Sequence, residues 1–221
     1  MIGFKGRGRN RGAAMIETLF VFPVVMFLGF AIVHVGFIYQ AKTNLEYAAL
    51  MGARIAAVSD LSDPSSFVNI RNEIRERMKA FDPTDNPVDS VDESSKVLIR
   101  VVRPNRQIFT DWGRAADSCP SGLCRIPNDN LLYRDANRKN NVSIQEANIL
   151  KIEVSYKVDT KVPFMRELFK VDNAADMFLP EAEANPDFGT PGIWVTTDAV
   201  VRMQTEPAVS GATSAFFDGY P

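Results

Sequence analysis

Few residues in this 221-residue chain have both the type and the spacing to do chemistry. Cys119 and Cys124 are its two cysteines, set in "CPSGLC" with Pro and Gly between them. Four intervening residues match neither the two-residue redox motif nor, with two thiols alone, a complete zinc site. A small disulfide loop is the chemistry that fits, provided the segment lies in an oxidising compartment. The single histidine, His34, sits in an apolar run, so no histidine remains elsewhere as base, acid or metal ligand. "DANRKNNVSIQE", Asp135 to Glu146, has acids at the first and twelfth positions of a calcium-like loop. It lacks the Gly at the sixth position and carries Lys139 at the fifth, so a calcium site is not expected there. No phosphate-binding Gly-rich loop, nucleophile elbow or paired metal motif occurs, and neither an enzyme nor a cofactor is expected. That leaves Glu17, in "NRGAAMIETLF", a carboxylate at the start of an apolar run.

The run itself decides what Glu17 can mean. Thr18 to Ala41 gives 24 consecutive residues without Asp, Glu, Lys or Arg, enough to cross a bilayer as one helix. It exceeds the apolar core of a cleavable secretory signal, so it is expected to persist as an anchor. Ahead of it Lys5, Arg7, Arg9 and Arg11 stand without an acid. By the positive-inside rule they hold the N-terminus in the cytoplasm and send everything after Lys42 across the membrane. A carboxylate in this position costs a few kcal/mol unless headgroups or an arginine satisfy it.

Beyond the span, small residues recur in "AKTNLEYAALMGARIAAV". Ala41, Ala48, Gly52 and Ala56 form one stripe, with Ala49, Ala53 and Ala57 beside it. Spacings of four put each stripe on one helix face, where another helix or the chain's own domain could approach closely. A helix from Ala13 to Val58 would be about 69 Å long, well beyond a hydrocarbon core of about 30 Å, and Pro23 is expected to kink it within the span.

A basic leader, Gly12, four residues, Glu17 and a long apolar helix together resemble the processing site of type IV prepilins. That resemblance implies cleavage between Gly12 and Ala13 by a membrane-embedded prepilin peptidase, with Glu17, then the fifth residue, aligning subunits. Charge attraction between a freed amino terminus and a carboxylate in low dielectric makes the role physically reasonable. More closely, "RGAAMIETLFVFPVVMFLGFAIVHVGFIYQAKTNLEYAALMGARIAAVSD" resembles the N-terminal region of TadE-like proteins, pilin-like components of the tight adherence (Tad) pilus. The shared features are the small residues before the Glu, the Pro six residues after it, the Gly-rich apolar run and the Ala-Arg segment. "ILKIEVSYKVDTKVPF" and "WVTTDAVVRMQTEP" are similar to that family's closing pair of strands. The likeness is close over the first 60 residues, loose over the last 75, and absent by motif from Asp60 to about Asn140. Ala13 and Ala14 depart from the aromatic that type IV pilins often carry near the first mature position. The resemblance implies a minor pilin or pseudopilin in a bacterial inner membrane, needed for pilus assembly, adhesion and biofilm formation. Its partners would be the prepilin peptidase, other pilin-like subunits and the Tad machinery. The alternative is an uncleaved bitopic protein whose exported domain binds a partner.

The rest of the chain agrees with a small exported domain. Without the four basic residues of the leader, 21 basic residues face 27 acidic ones, a net charge of −6 that argues against nucleic acid. The expected organisation is a leader over 1–12, a transmembrane and protruding helix over 13–58 and an exported α+β domain over 59–221. Asp63 before Pro64 marks a helix start, and Phe67, Ile70, Ile74, Met78 and Phe81 then share one face. An Asp- and Pro-rich loop follows. Strand alternation appears at Val97, Ile99 and Val101, at Leu150 through Val158, and at Ile193 through Met203, the signature of an antiparallel sheet with one buried face. "SIQE", Ser143 to Glu146, reads as a capping box before a short helix that leads into the second strand. "GATSAFFDGYP" reads as a loose tail in which Phe216 and Phe217 could dock.

Overall fold

A computed structural model describes residues 11–82, 96–115, 123–132, 138–159 and 192–218. The loop over 83–95, most of the leader and Cys119 lie outside these residues.

One helix, α1 (Arg11–Val58), runs without a break through Pro23. Its two halves have opposite surroundings. Met15 to Gly29 are exposed all round, and the first buried residue is His34. From Ala41 upward the small-residue stripes vanish from the surface: Ala41, Ala48, Ala49 and Ala53 are fully buried and Ala56 nearly so.

What covers them is the chain's own domain. After α1 the backbone turns at Asp60–Asp63, and α2 (Pro64–Met78) starts where Asp63 accepts a hydrogen bond from the Ser65 amide, with Pro64 at the first helical position. α2 returns antiparallel alongside α1. Its buried face is the Phe67, Ile70, Ile74, Met78 stripe expected from the sequence. Gly52 makes the close approach possible: a Cβ there would stand 2.8 Å from Cγ1 of Ile74 and 2.9 Å from its Cδ1.

On its other side α1 packs on a three-stranded sheet of β1 (Val97–Arg103), β6 (Ile149–Asp159) and β7 (Gly192–Arg202). The order is β1-β6-β7 and both pairings are antiparallel. Val97, Ile99, Val101, Leu150, Ile152, Val154, Tyr156, Val195 and Ala199 turn inward, as their period of two requires. Apolar burial of about 25 cal/mol per Å² is the main force holding helix and sheet together.

Smaller elements complete the domain. They are α3 (Arg106–Trp112), β2 (Arg114–Ala115), β3 (Cys124–Arg125), a hairpin of β4 (Arg138–Lys139) and β5 (Val142–Ser143), α4 (Ile144–Ala147) and β8 (Ala208–Val209). β2, β3 and β8 form a second small sheet. The capping box is present: Ser143 accepts from the Glu146 amide and Glu146 accepts from the Ser143 amide.

Three features depart from the sequence reading. The anchor run expected over Thr18–Ala41 is shared with the domain, because packing already begins at His34; the free stretch is Met15–Val33, about 28 Å of helix. The C-terminal segment is docked through residue 218: Phe216 stacks on Phe67 at 4.1 Å, and Phe217 meets Phe67 and Phe109 edge-on at 6.1 and 5.6 Å. Residues 138–143 of the calcium-like segment form the β4–β5 hairpin, which the sequence reading did not include. Asn140 and Asn141 take positive φ of 46° and 64° at the hairpin turn, and Glu146 caps α4.

Candidate functional site

The candidate site is the N-terminal half of α1. Gly12 and Ala13 lie in its first turn, while their surroundings lie outside the described residues. Glu17 follows just over a turn later and is exposed on the helix surface, with no hydrogen bond or ion pair among the described residues. Around and above it stand Met15, Ile16, Leu19, Phe20, Val21 and Phe22, each more than half exposed. In water such a surface would aggregate. Nineteen residues at 1.5 Å each nearly match a hydrocarbon core of about 30 Å, and α1 is long and apolar enough to cross a membrane.

The packing residues expected on α1 have a different fate. Ala48, Ala49, Gly52, Ala53 and Ala56 lie in the chain's own core, against α2 and the sheet. Of the two uses their spacing allowed, the structure fills the internal one. Small side chains here bring α1 close to α2 and β7. β7 is tied to the end of the helix by the Gln204 and Thr205 amides, which donate to the Ala57 carbonyl at 2.9 and 3.2 Å.

Cys124 is fully buried on β3 and disulfide-bonded; Cys119, on which the expected short ring depends, lies outside the described residues. No group of three or more metal-binding side chains occurs among the described residues.

The charged groups of the domain act as braces between elements. Lys96 meets Asp82 at 2.7 Å, and the buried Tyr156 hydroxyl donates to the same carboxylate at 3.3 Å, joining the end of α2 to β1 and β6. Burial pushes the Asp60 carboxyl up, but hydrogen bonds from Ser62 and Arg125 outweigh it and hold Asp60 below its ordinary value. Lys151 lowers Asp198 in the same way, and the Ser143 amide lowers Glu146. At the distal end Asn148 is completely buried and donates to the carbonyls of Pro127 and Ile144, fastening a loop to α4.

Several of these elements escaped the sequence reading. α3 has a legible start, since Asn105 accepts from the Ile108 amide as a helix cap. The two-asparagine turn was legible in principle, because asparagine tolerates the left-handed region. Asn148 carried no local signal.

Fold and site together define an α+β protein hung on one long helix, half of it bare and apolar, half of it core. Residues 12–54 match the family model described as TadE-like protein, so over that helix the chain is similar to TadE-like proteins. The match starts at Gly12, takes in Glu17 and the bare half, and ends at Arg54 on the half of α1 that packs against the domain. No curated protein and no solved structure matches the chain.

Proposed function

We propose that this protein is a minor pilin or pseudopilin of a Tad-type pilus. In this reading it is inserted in the bacterial inner membrane with its leader inside, cut between Gly12 and Ala13 by a prepilin peptidase, and assembled with other pilin-like subunits and the Tad machinery. Its exported domain then caps, primes or decorates a filament that serves adhesion and biofilm formation. The role is structural and involves no catalysis by this chain. The observation that carries the reading is Glu17, an exposed carboxylate with no hydrogen bond or ion pair among the described residues, on a bare apolar helix, five residues past Gly12 and inside the TadE-like match. Leaving a charge there is costly unless something outside this chain satisfies it, and a neighbouring subunit's new amino terminus has the right charge.

The test is the N-terminal sequence and intact mass of the protein from its native membrane, with and without the peptidase. An N-terminus at Ala13 that depends on the peptidase supports the proposal. An intact Met1 leader in both strains sinks it.

One observation favours the second reading, an uncleaved bitopic protein that binds a partner through its exported domain. The small-residue stripes that could have packed on neighbouring subunits are consumed by the chain's own core. In that case the leader stays and Glu17 sits among headgroups.

A further inference from the structure

Two charged residues of α1 above the bare half have no role in the domain. Lys42 is the only Lys or Arg between Arg11 and Arg54, and Glu46 is the only acid between Glu17 and Asp60. Both are exposed, and neither has a hydrogen bond or ion pair among the described residues. They stand four apart on one helix yet do not bridge each other. A Lys placed before a Glu is the weaker order for such a pair along a helix.

Their spacing repeats the one at the foot of the helix. Ala13 and Glu17 are also four apart, and 29 residues separate Ala13 from Lys42 and Glu17 from Glu46. At 3.6 residues per turn, 29 residues make about eight whole turns, so both pairs lie on one face of α1, which runs unbroken through Pro23. Val21, Val24, Leu28 and Val35 occupy that face between them, each at least half exposed. Seven residues above Glu46 the same face reaches Ala53, which is fully buried in the chain's own core, so the open strip ends at Glu46.

We propose that Lys42 of one copy of this chain pairs with Glu46 of a second, parallel copy set about 6 Å lower along the helix axis. A stagger of four residues brings the raised copy's Lys42 level with the lower copy's Glu46. The same stagger brings the raised copy's amino terminus at Ala13 level with the lower copy's Glu17, so one displacement satisfies both ends of the strip. A second copy is the occupant because the strip is complementary to itself: a cation and an anion recur on it at the offset the neighbour must take. A lipid surface would meet Lys42 but leave Glu46, about one turn further out, without a partner. Exposed ion pairs add little affinity, so this one fixes the register while the apolar strip supplies the contact. The inference rests on the function proposed above, in which subunits pack in one direction; the Lys42–Glu46 pair does not itself need the cut at Gly12.

The test uses the full chain in native membranes, as two differently tagged copies. One carries Val35→Cys and the other Tyr39→Cys, positions that the stagger brings level. Oxidation should join the two kinds of copy about fivefold more than it joins either kind to itself, since a disulfide needs Cα atoms within about 7 Å. Equal yields, or a higher yield between like copies, would overturn the proposal. Lys42→Glu on the Val35→Cys copy should lower the mixed yield about fivefold, and Glu46→Lys on the Tyr39→Cys copy should restore it. The same Lys42→Glu placed on the Tyr39→Cys copy should leave the yield unchanged, because that copy's Lys42 lies outside the pair. A loss that Glu46→Lys does not restore, as headgroup binding predicts, or an equal loss from both placements would sink the pairing. N-terminal sequencing of the same membranes separates the two proposals. An intact Met1 with the mixed cross-link retained sinks the cleavage reading alone, and an Ala13 terminus without the mixed cross-link sinks the staggered pair alone.

Discussion

The two halves of α1 are one continuous helix with one backbone geometry, yet they obey different solvents. The lower half, Met15–Val33, is apolar apart from Glu17 and Thr18 and exposed apart from the partly covered Phe30 and Ala31. The upper half, from Ala41, buries a face of alanines, Gly52 and Leu45 against α2 and the sheet, while Lys42, Glu46, Tyr47 and Arg54 stay on its outer face. Bulky side chains are used where lipid is the expected neighbour, and small ones where another backbone must come close. Hydrophobicity alone does not separate the two cases; residue volume does.

The sharpest way to break this comparison is to make one substitution in both halves. Gly52→Leu forces a side chain into Ile74 and Ile70 and should destabilise the domain by about 3 kcal/mol, read as a lower melting temperature. Gly29 has nothing within 4 Å of a Cβ, so Gly29→Leu should leave domain stability within about 0.5 kcal/mol of the parent. A similar loss from both would mean that the lower half is also packed.

A smaller effect is expected at the brace below the sheet. Asp82→Ala strands Lys96 and the buried Tyr156 hydroxyl and should cost about 2 kcal/mol in denaturant unfolding, without changing membrane extraction. Acid should act on the domain alone and more weakly. Asp60, Glu146 and Asp198 all titrate below their ordinary values in the folded chain. Their contribution is therefore present above the unfolded carboxylate value near 4 and lost as pH falls through the folded values. These groups are each more than a third exposed, so solvent screening keeps each contribution small. A melting temperature that falls between about pH 5 and 3 would agree, and one that rises would reverse the sign of these braces.

Glu17→Ala closes the series with the smallest effect on stability and, under the proposed function, the largest on assembly. Glu17 makes no contact that holds the domain, so melting should not move. Pilus number should fall; unchanged pili with unchanged melting would remove the alignment role.

Much of the architecture was legible because it rests on local patterns. The apolar run, the Asp63–Pro64 helix start, the Ser143–Glu146 box and the three alternating strands each depend on neighbours within a few residues, and each forms where its spacing predicts. The TadE-like helix was legible for the same reason: Gly12, Glu17, Pro23 and the small residues lie on one continuous segment.

What chain order could not carry, tertiary structure decided. Whether the alanine stripes served a neighbour or the chain itself depended on whether α2 and β7 could reach them, and they do. The fate of Phe216 and Phe217 depended on a pocket formed by Phe67 and Phe109, more than 100 residues earlier. The strand order β1-β6-β7 depended on which strands pair, a choice that sequence alternation leaves free because every half-buried strand has the same period of two. The sequence alone determined a long apolar helix, its charge-free length and the kinds of elements that follow. Only the fold decided where the helix stops being surface and becomes core, because burial is a property of what packs against a residue and not of the residue itself.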